Sequence, residues 1–317
     1  MRAGLRSGGS SAARSCVRGA GTVGDNLMSE RLGKLDLVFV VDNTGSMGPY
    51  INAVKQKILE IVRTIKREEL CHHLRIGLVC YRDHPPQEST FVTKKFELTS
   101  DTTAIEASVK EMSASGGGDG PEAVADAIHV LNRMEFLRDA AKVAVLVGDA
   151  PPHGVEPGDA WSECPEGIDW REAAKKAFDA GIVVHTVGCF PEIQRYTHAV
   201  DTFKEIASTT KGEFFPLAEA EGLVELITGI AVEEIDKIVI QESILKELGI
   251  DPTQVDTEVL SSVDASELAR TLSGKGVRRR VVRTTAADAP APVELQEAEI
   301  SEEDVLEAIR QIQKKMR

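Results

Sequence analysis

A chain of 317 residues can hold one sizeable core plus an appendage, or two small domains. Its 42% apolar and 28% charged residues are those of a soluble globular protein. The formal net charge of −14 argues against nucleic acid as a partner, because phosphate backbones select basic surfaces. No apolar stretch approaches the ~18 residues that a membrane span requires.

The five cysteines (16, 71, 80, 164 and 189) are odd in number and lack CxxC spacing, so the expected setting is reducing, intracellular and cytoplasmic. Residues 1–33 read as a disordered basic leader. Arg2, Arg6, Arg14 and Arg18 lie among Ser, Ala and Gly, and no acidic residue precedes Asp25. An organelle transit peptide in residues 1–22, a plain leader and a misassigned start all share this composition; the apolar core of a secretory signal is absent.

Leu37 to Val41 is apolar without alternation, the pattern of a strand buried on both faces, and it ends in Asp42. Ile51, Val54, Ile58, Ile61, Val62 and Ile65 then recur at threes and fours, the stripe of an amphipathic helix. Leu74–Tyr81 reads as a second buried strand, stopped by the Pro85-Pro86 turn. Val92, Lys94, Phe96 and Leu98 share one face of an edge strand that carries Lys on both faces. A helix over Thr103–Met112 precedes the glycine-rich segment Gly116–Glu122, where Pro121 suits the first position of the next helix. Ala123, Val124, Ala127, Ile128 and Leu131 supply that helix with a buried face.

Val143–Asp149 repeats the opening pattern of apolar strand and terminal Asp. The following stretch, Ala150–Gly167, is rich in Pro and Gly; a loop this long inside a domain is usually functional. Helix Trp170–Ala180, strand Ile182–Cys189, helix Thr202–Thr209, strand Glu213–Phe215 and a closing helix from Leu223 to about Ile240 complete the alternation. The expected architecture is therefore α/β: a doubly wound, mainly parallel sheet with helices on both faces and one antiparallel edge strand. It spans residues 34–236, and residues 237–317 form a small helical extension. That extension contains a basic patch at Lys275 and Arg278–Arg280, an Ala/Pro linker at 286–292, and a last helix opened by Ser301 and Asp304. Val305, Ile309, Ile312 and Met316 stripe the last helix. Self-association or partner docking through this stripe, and folding back onto its own domain, stand as equal readings.

Asp42, Thr44 and Ser46 fall at the carboxyl end of a central strand, where open α/β sheets bind ligands. Three alternating oxygen-bearing side chains suit a hard cation. The same residue types are ordinary helix caps, and spacing alone leaves both readings open. Elsewhere, Gly116–Gly120 lacks the Lys-Ser/Thr of a P-loop. His153, Cys164 and Cys189 could meet at the loop end of the sheet, but without paired spacing a buried or loop role is expected rather than zinc binding. His72 and His73 are expected in solvent, and Trp161 and Trp170 as anchors of the long loop.

Asp42-Asn43-Thr44-Gly45-Ser46-Met47, Gly116–Glu122 and Val147-Gly148-Asp149, in that order, resemble the three metal loops of the von Willebrand factor A domain family. The Asp-Asn-Thr-Gly-Ser-Met turn, Tyr81-Arg82-Asp83-His84 and the segment 148–153 most resemble the A domains attached to some alpha-kinases. The resemblance, covering about residues 34–234, implies a Rossmann-like fold with a metal-ion-dependent adhesion site. It implies magnesium as the ion, with manganese or calcium as alternatives, and Asp42, Thr44, Ser46 and Asp149 among the ligands. Many members carry Thr where this sequence has Gly118. The loop instead resembles that of integrin β-subunits, which makes Glu122 the candidate ligand and Asp119 the reserve. The implied activity is not enzymatic: a protein partner presents an Asp or Glu to the ion. The alternative is a metal-dependent phosphohydrolase on a similar sheet, whose usual second Asp is Thr44 here.

Overall fold

Strand β1 (Lys34–Asp42) is buried on both faces because Leu35, Leu37, Phe39 and Val41 alternate with Val38 and Val40, each at most 2% exposed. The computed structural model describes residues 34–67, 73–118, 120–220, 222–251, 255, 257–284 and 289–316. Strands β2 (His73–Tyr81), β3 (Thr93–Thr99), β4 (Ala141–Gly148), β5 (Ile182–Cys189) and β6 (Phe214–Leu217) join β1 in the order β3-β2-β1-β4-β5-β6. All neighbours are parallel except β3, the lysine-bearing edge strand, which runs antiparallel to β2. In register, Leu37 lies between Ile76 of β2 and Val143 of β4.

Helices α1 (Gly48–Arg67), α2 (Thr102–Glu111), α3 (Val124–Leu131), α4 (Trp170–Asp179), α5 (Ala199–Thr209) and α6 (Gly222–Glu247) lie between and after these strands. Leu35, Leu37, Phe39 and Val41 pack in one layer with α1, α2 and α6, and Val38 and Val40 in the other with α3, α4 and α5. The alternation of one strand therefore divides the core in two. Asp36 breaks the apolar run, and it is buried as an ion pair: Arg75 donates to it from Nε at 2.8 Å and Nη2 at 2.6 Å. Ile58, Ile61 and Met316 belong to stripes whose side chains at those positions lie outside the description.

One local expectation fails. Pro121 does not open α3, which begins at Val124; Glu122 instead forms an isolated parallel bridge with Pro152, its N–H donating to the Pro151 carbonyl at 2.9 Å. The backbone hydrogen bond to the long loop outweighs proline's preference for a helix start, and it holds Glu122 at the loop end of the sheet.

Helix α6 runs on to Glu247, through the expected boundary at 236–237. It joins α7 (Thr257–Ser261), α8 (Ala265–Gly274), β7 (Arg278–Thr284), β8 (Val293–Glu299) and α9 (Glu302–Met316). Strands β7 and β8 form an antiparallel hairpin that the sequence does not announce: Arg278–Arg280 reads as a basic patch, and β8 is mostly exposed and polar on both sides. Most of the patch is neutralised within the chain. Arg280 pairs with Asp236 at 2.7 Å, Arg279 with Asp304 at 2.8 Å, and Lys275 with Glu247. Ser301 and Asp304 do cap α9 reciprocally: the Ser301 hydroxyl donates to Asp304 Oδ2 at 2.6 Å and the Asp304 N–H donates to Ser301 Oγ at 3.2 Å.

Val305, Ile309 and Ile312 are buried with Ile238, Ile244 and Leu245 of α6 and Leu268 and Leu272 of α8. This decides between the two readings of the stripe. It is folded onto its own chain, so self-association through this face is withdrawn. Ala141, at the start of β4, packs against the same cluster, which places the extension at the amino ends of the strands, opposite the candidate site.

Candidate metal centre

At the carboxyl end of β1 the chain turns at once, and Gly45 to Met47 form a single 3-10 turn before α1. Thr44 stands at its cap position yet makes no side-chain capping bond. Its hydroxyl donates to Asp42 Oδ1 at 2.6 Å, and its N–H donates to the same oxygen at 2.8 Å. Ser46 Oγ lies 3.3 Å from Thr44 Oγ1. The three side chains thus face one another instead of closing the helix end.

The second loop is fastened to the first by backbone bonds: Gly45 N–H to the Gly116 carbonyl at 3.1 Å, and Ser115 N–H to the Asn43 carbonyl at 3.0 Å. Arg82, buried after β2, ties both together, donating from Nε to the Asn43 carbonyl at 3.2 Å and from Nη2 to the Ser113 carbonyl at 2.9 Å. Gly117 must be glycine: its φ is +79°, and a Cβ would stand 2.9 Å from Glu122 Oε1 and 3.1 Å from Thr44 Cβ. That close approach brings the Glu122 carboxylate to Thr44. At Gly118 a Cβ would run into the Gln87 side chain at 2.9 Å. Asp119 lies outside the described residues.

Strand β4 delivers Asp149, which accepts a hydrogen bond from Ser46. Thr44, Ser46, Glu122 and Asp149 line one cleft of about 200 Å³, together with Gly116–Gly118, Glu192, Arg195 and Tyr196. Asp42 is fully buried beside Thr44, and its Oδ2 has no hydrogen-bond partner among the described residues. Burial and the nearby Asp149 charge push its carboxyl up to about 8 against the pull of the Thr44 hydrogen bonds. Asp149 is raised as well, by burial first, with Ser46 pulling down and Glu192 pushing up. Burial and mutual repulsion therefore disfavour the ionised forms of Asp42 and Asp149 here, and a cation is the ordinary remedy.

Five of the six expected ligands are therefore brought together, and the sixth, Asp119, is not described. Glu192, Arg195 and Tyr196 were not anticipated; their only sequence signal is that they follow the carboxyl end of β5, the ligand edge of such sheets. His153 and Cys164 do reach the loop end of the sheet, where both are buried, whereas Cys189 is buried in the opposite layer with Val147 and Val187. His73 is exposed, as expected. Trp170 is buried in the core, and Trp161 stacks edge-on to His153 with ring centroids 4.7 Å apart, so both hold the long loop.

The family model for the von Willebrand factor type A domain matches residues 36–228. Among curated proteins, the chain is 32% identical over 122 residues to the alpha-protein kinase vwkA of Dictyostelium discoideum, covering 38% of this chain and 19% of that one. It is 26% identical over 183 residues to a putative ariadne-like RING finger protein, R811, of Acanthamoeba polyphaga mimivirus, covering 56% of this chain and 18% of that one. The chain thus spans less than a fifth of the length of either relative. Among solved structures, the pilus adhesin SpaC of Lactobacillus rhamnosus GG superposes with a TM-score of 0.50 at 15% identity, over 65% of this chain and 30% of that one. At that identity the likeness concerns the fold alone. The family match and the order of the three loops lead to one conclusion: this chain belongs to the von Willebrand factor type A domain family, whose domains are adhesion and protein-interaction modules.

Proposed function

We propose that the domain is a magnesium-dependent interaction module that captures an acidic side chain of a partner protein. The observation that carries this reading is Asp42, a buried carboxylate with an unpartnered oxygen beside the Asp149 charge. Ionising such a group without a counter-charge costs several kcal/mol, so a carboxyl kept at this position favours a cation-binding role. The donors suit the ion: carboxylates of Asp42, Glu122 and Asp149, hydroxyls of Thr44 and Ser46, all hard oxygens. Asp119 is the reserve ligand, and manganese or calcium would be accepted by the same donor set. When bound, the ion supplies a Lewis-acidic position for an incoming carboxylate oxygen.

The chain's own residues shape the approach. Gly116, Gly117 and Gly118 present no side chains at the cleft mouth, and Arg195, 3.8 Å from Glu192, offers a second positive contact for an acidic partner. The buried free thiols Cys80, Cys164 and Cys189 support an intracellular, reducing compartment. No helix among the described residues is long and apolar enough to cross a membrane.

The test is a pull-down from lysate with and without chelator, followed by magnesium titration of the wild type, Asp42→Ala, Glu122→Gln and Asp119→Asn. Partner capture should require magnesium and disappear in Asp42→Ala. Glu122→Gln should weaken magnesium affinity about tenfold, or 1.4 kcal/mol, while Asp119→Asn leaves it near wild type. Capture that survives both chelator and Asp42→Ala would remove the metal from the mechanism. A loss confined to Asp119→Asn would reassign the second-loop ligand.

A further inference from the structure

A second group of metal-ligating side chains, separate from the magnesium candidates, lies buried at the same end of the sheet. His84 follows β2, Asp126 sits in the first turn of α3, and Cys164 comes from the long loop; all three are at most 5% exposed. His84 Nε2 is 3.3 Å from Asp126 Oδ2, and Cys164 Sγ is 3.2 Å from that same oxygen. The three ligand atoms lie within 4.8 Å of one another. His84 is 1% exposed, and its ring nitrogens make no well-formed hydrogen bond among the described residues; Nε2 has the ion-pair contact with Asp126, and Nδ1 stands 4.0 Å from Asp83 Oδ1. A buried imidazole so loosely bonded is uncommon in a native structure, and a ligand at Nε2 would account for it.

The spacing is informative. Zinc bonds of ~2.0 Å to nitrogen and oxygen and ~2.3 Å to sulfur, at tetrahedral angles, separate N from O by about 3.3 Å and S from O by about 3.5 Å. The observed separations lie close to both. Nitrogen, carboxylate oxygen and thiolate together favour zinc over magnesium or calcium, which take oxygen ligands. The neighbouring histidine is spoken for. His153 Nε2 lies 2.9 Å from Asp83 Oδ1 and its Nδ1 3.3 Å from Asp159 Oδ1, while Asp159 also accepts from the Gly154 and Trp161 N–H groups. That chain of bonds orients the long loop; Trp161 covers His84 edge-on at a centroid distance of 6.2 Å.

We infer that His84 Nε2, Asp126 Oδ2 and the Cys164 thiolate bind a zinc ion, with the fourth position left to solvent. Burial lowers the His84 imidazole, but Asp126 and Cys164 more than offset it and raise it to about 9. On binding, both the Nε2 proton and the thiol proton are therefore released to solvent, and the sulfur coordinates as thiolate. The ion would join three segments distant in sequence: the turn after β2, the start of α3 and the far arm of the 150–167 loop. Asp126 is four residues beyond Glu122, and the loop leaves directly from Asp149. Zinc therefore braces the two segments that carry these magnesium candidates, although its binding does not depend on their role.

The experiment uses the full chain purified without metal-affinity resin. Elemental analysis should find about one zinc per chain. The apo chain reloaded with cobalt alone should show a thiolate-to-cobalt charge-transfer band and tetrahedral ligand-field absorption. Cys164→Ser should lose the charge-transfer band, and Asp42→Ala should retain both zinc and band. Folded wild-type protein, verified by circular dichroism, that binds neither zinc nor cobalt overturns the inference without recourse to any variant. A Cys164→Ser chain that keeps full zinc, with His153→Ala losing it, also overturns it, and places the ion on Asp83, His84 and His153 instead.

Discussion

The two ends of the sheet differ in how completely they match buried charge. At the amino ends of the strands, buried or half-buried charges are matched: Asp36 with Arg75, Asp236 with Arg280, Asp304 with Arg279, and Glu234 with Lys237 and His185. At the carboxyl ends, Glu122 and Asp149 line one cleft, and the buried Asp42 beside them leaves its Oδ2 unpartnered among the described residues. The Asp236–Arg280 pair fastens β7 of the extension to α6. The unpartnered Asp42 oxygen is where a bound cation would complete the structure.

The sharpest way to break the contrast is to unmatch a pair at the extension end. Asp236 accepts from Arg280 Nε at 2.9 Å, Nη2 at 2.7 Å and N–H at 2.6 Å. Arg280→Ala strands a buried carboxylate and should cost about 3 kcal/mol, read as a lower urea midpoint at unchanged slope. The mirror experiment at the other end has the opposite sign. Asp42→Asn in chelator keeps an acceptor for Thr44 and replaces a carboxyl whose ionised form burial and Asp149 disfavour, so it should leave the metal-free chain as stable as wild type or, above pH 8, more so. Magnesium at ~100 times its dissociation constant should stabilise the wild type by about 2.7 kcal/mol and the Asn variant not at all. Calorimetry in the two buffers checks both halves.

A pH series sharpens the comparison further. Burial pushes Glu234 up, but the Lys237 ammonium and then His185 more than offset it, bringing its carboxyl down to about 2. A carboxylate lowered in the folded state contributes stability that is complete above its unfolded pKa of about 4.5 and is lost as pH falls toward 2. With Lys237 half-buried and partly screened, the contribution amounts to about 2 kcal/mol. Glu234→Gln should flatten that part of the acid limb; an unchanged slope between pH 5 and 2 would show that the pair is not coupled to folding.

The smallest expected effect concerns communication between the ends. Helix α6, 26 residues or about 39 Å long, runs from the site end into the extension, and Glu233 Oε2 accepts from the Val282 N–H of β7 at 3.0 Å. A Cβ at Gly229 would stand 2.9 Å from Val282 Cγ2, so Gly229→Ala should lift the hairpin slightly from the helix. If α6 has two positions with different partner affinity, that variant should change partner affinity about threefold and leave magnesium affinity alone. Identical titrations would leave the extension as a passive attachment.

Legibility follows the range of the forces involved. Alternation and apolar runs are local, so every strand of the large sheet and the start of each of its helices could be placed within a few residues, although α6 runs to Glu247, past its expected end at about Ile240. Strands β1 and β4 pointed to candidate ligands because Asp42 and Asp149 sit at strand ends. The hairpin was hidden because β7 and β8 lack the apolar alternation of a half-buried strand; what holds them is Asp236 and Glu233 on a helix some forty residues away. The Ser301–Asp304 cap was readable over four residues, whereas the destination of the stripe behind it was not, because any apolar surface of the right shape would bury Val305 and Ile309.

By itself, then, the sequence determined the sheet, its order of loops and Asp42, Thr44, Ser46 and Asp149 at the ligand edge, since period and strand-end position are properties of neighbouring residues. Tertiary structure alone decided that Glu122 turns into the cleft while Pro121 starts no helix, that α9 returns to its own domain, and that His84, Asp126 and Cys164 meet. Those outcomes depend on which distant surfaces come into contact, and long-range packing writes no periodic signal into the chain.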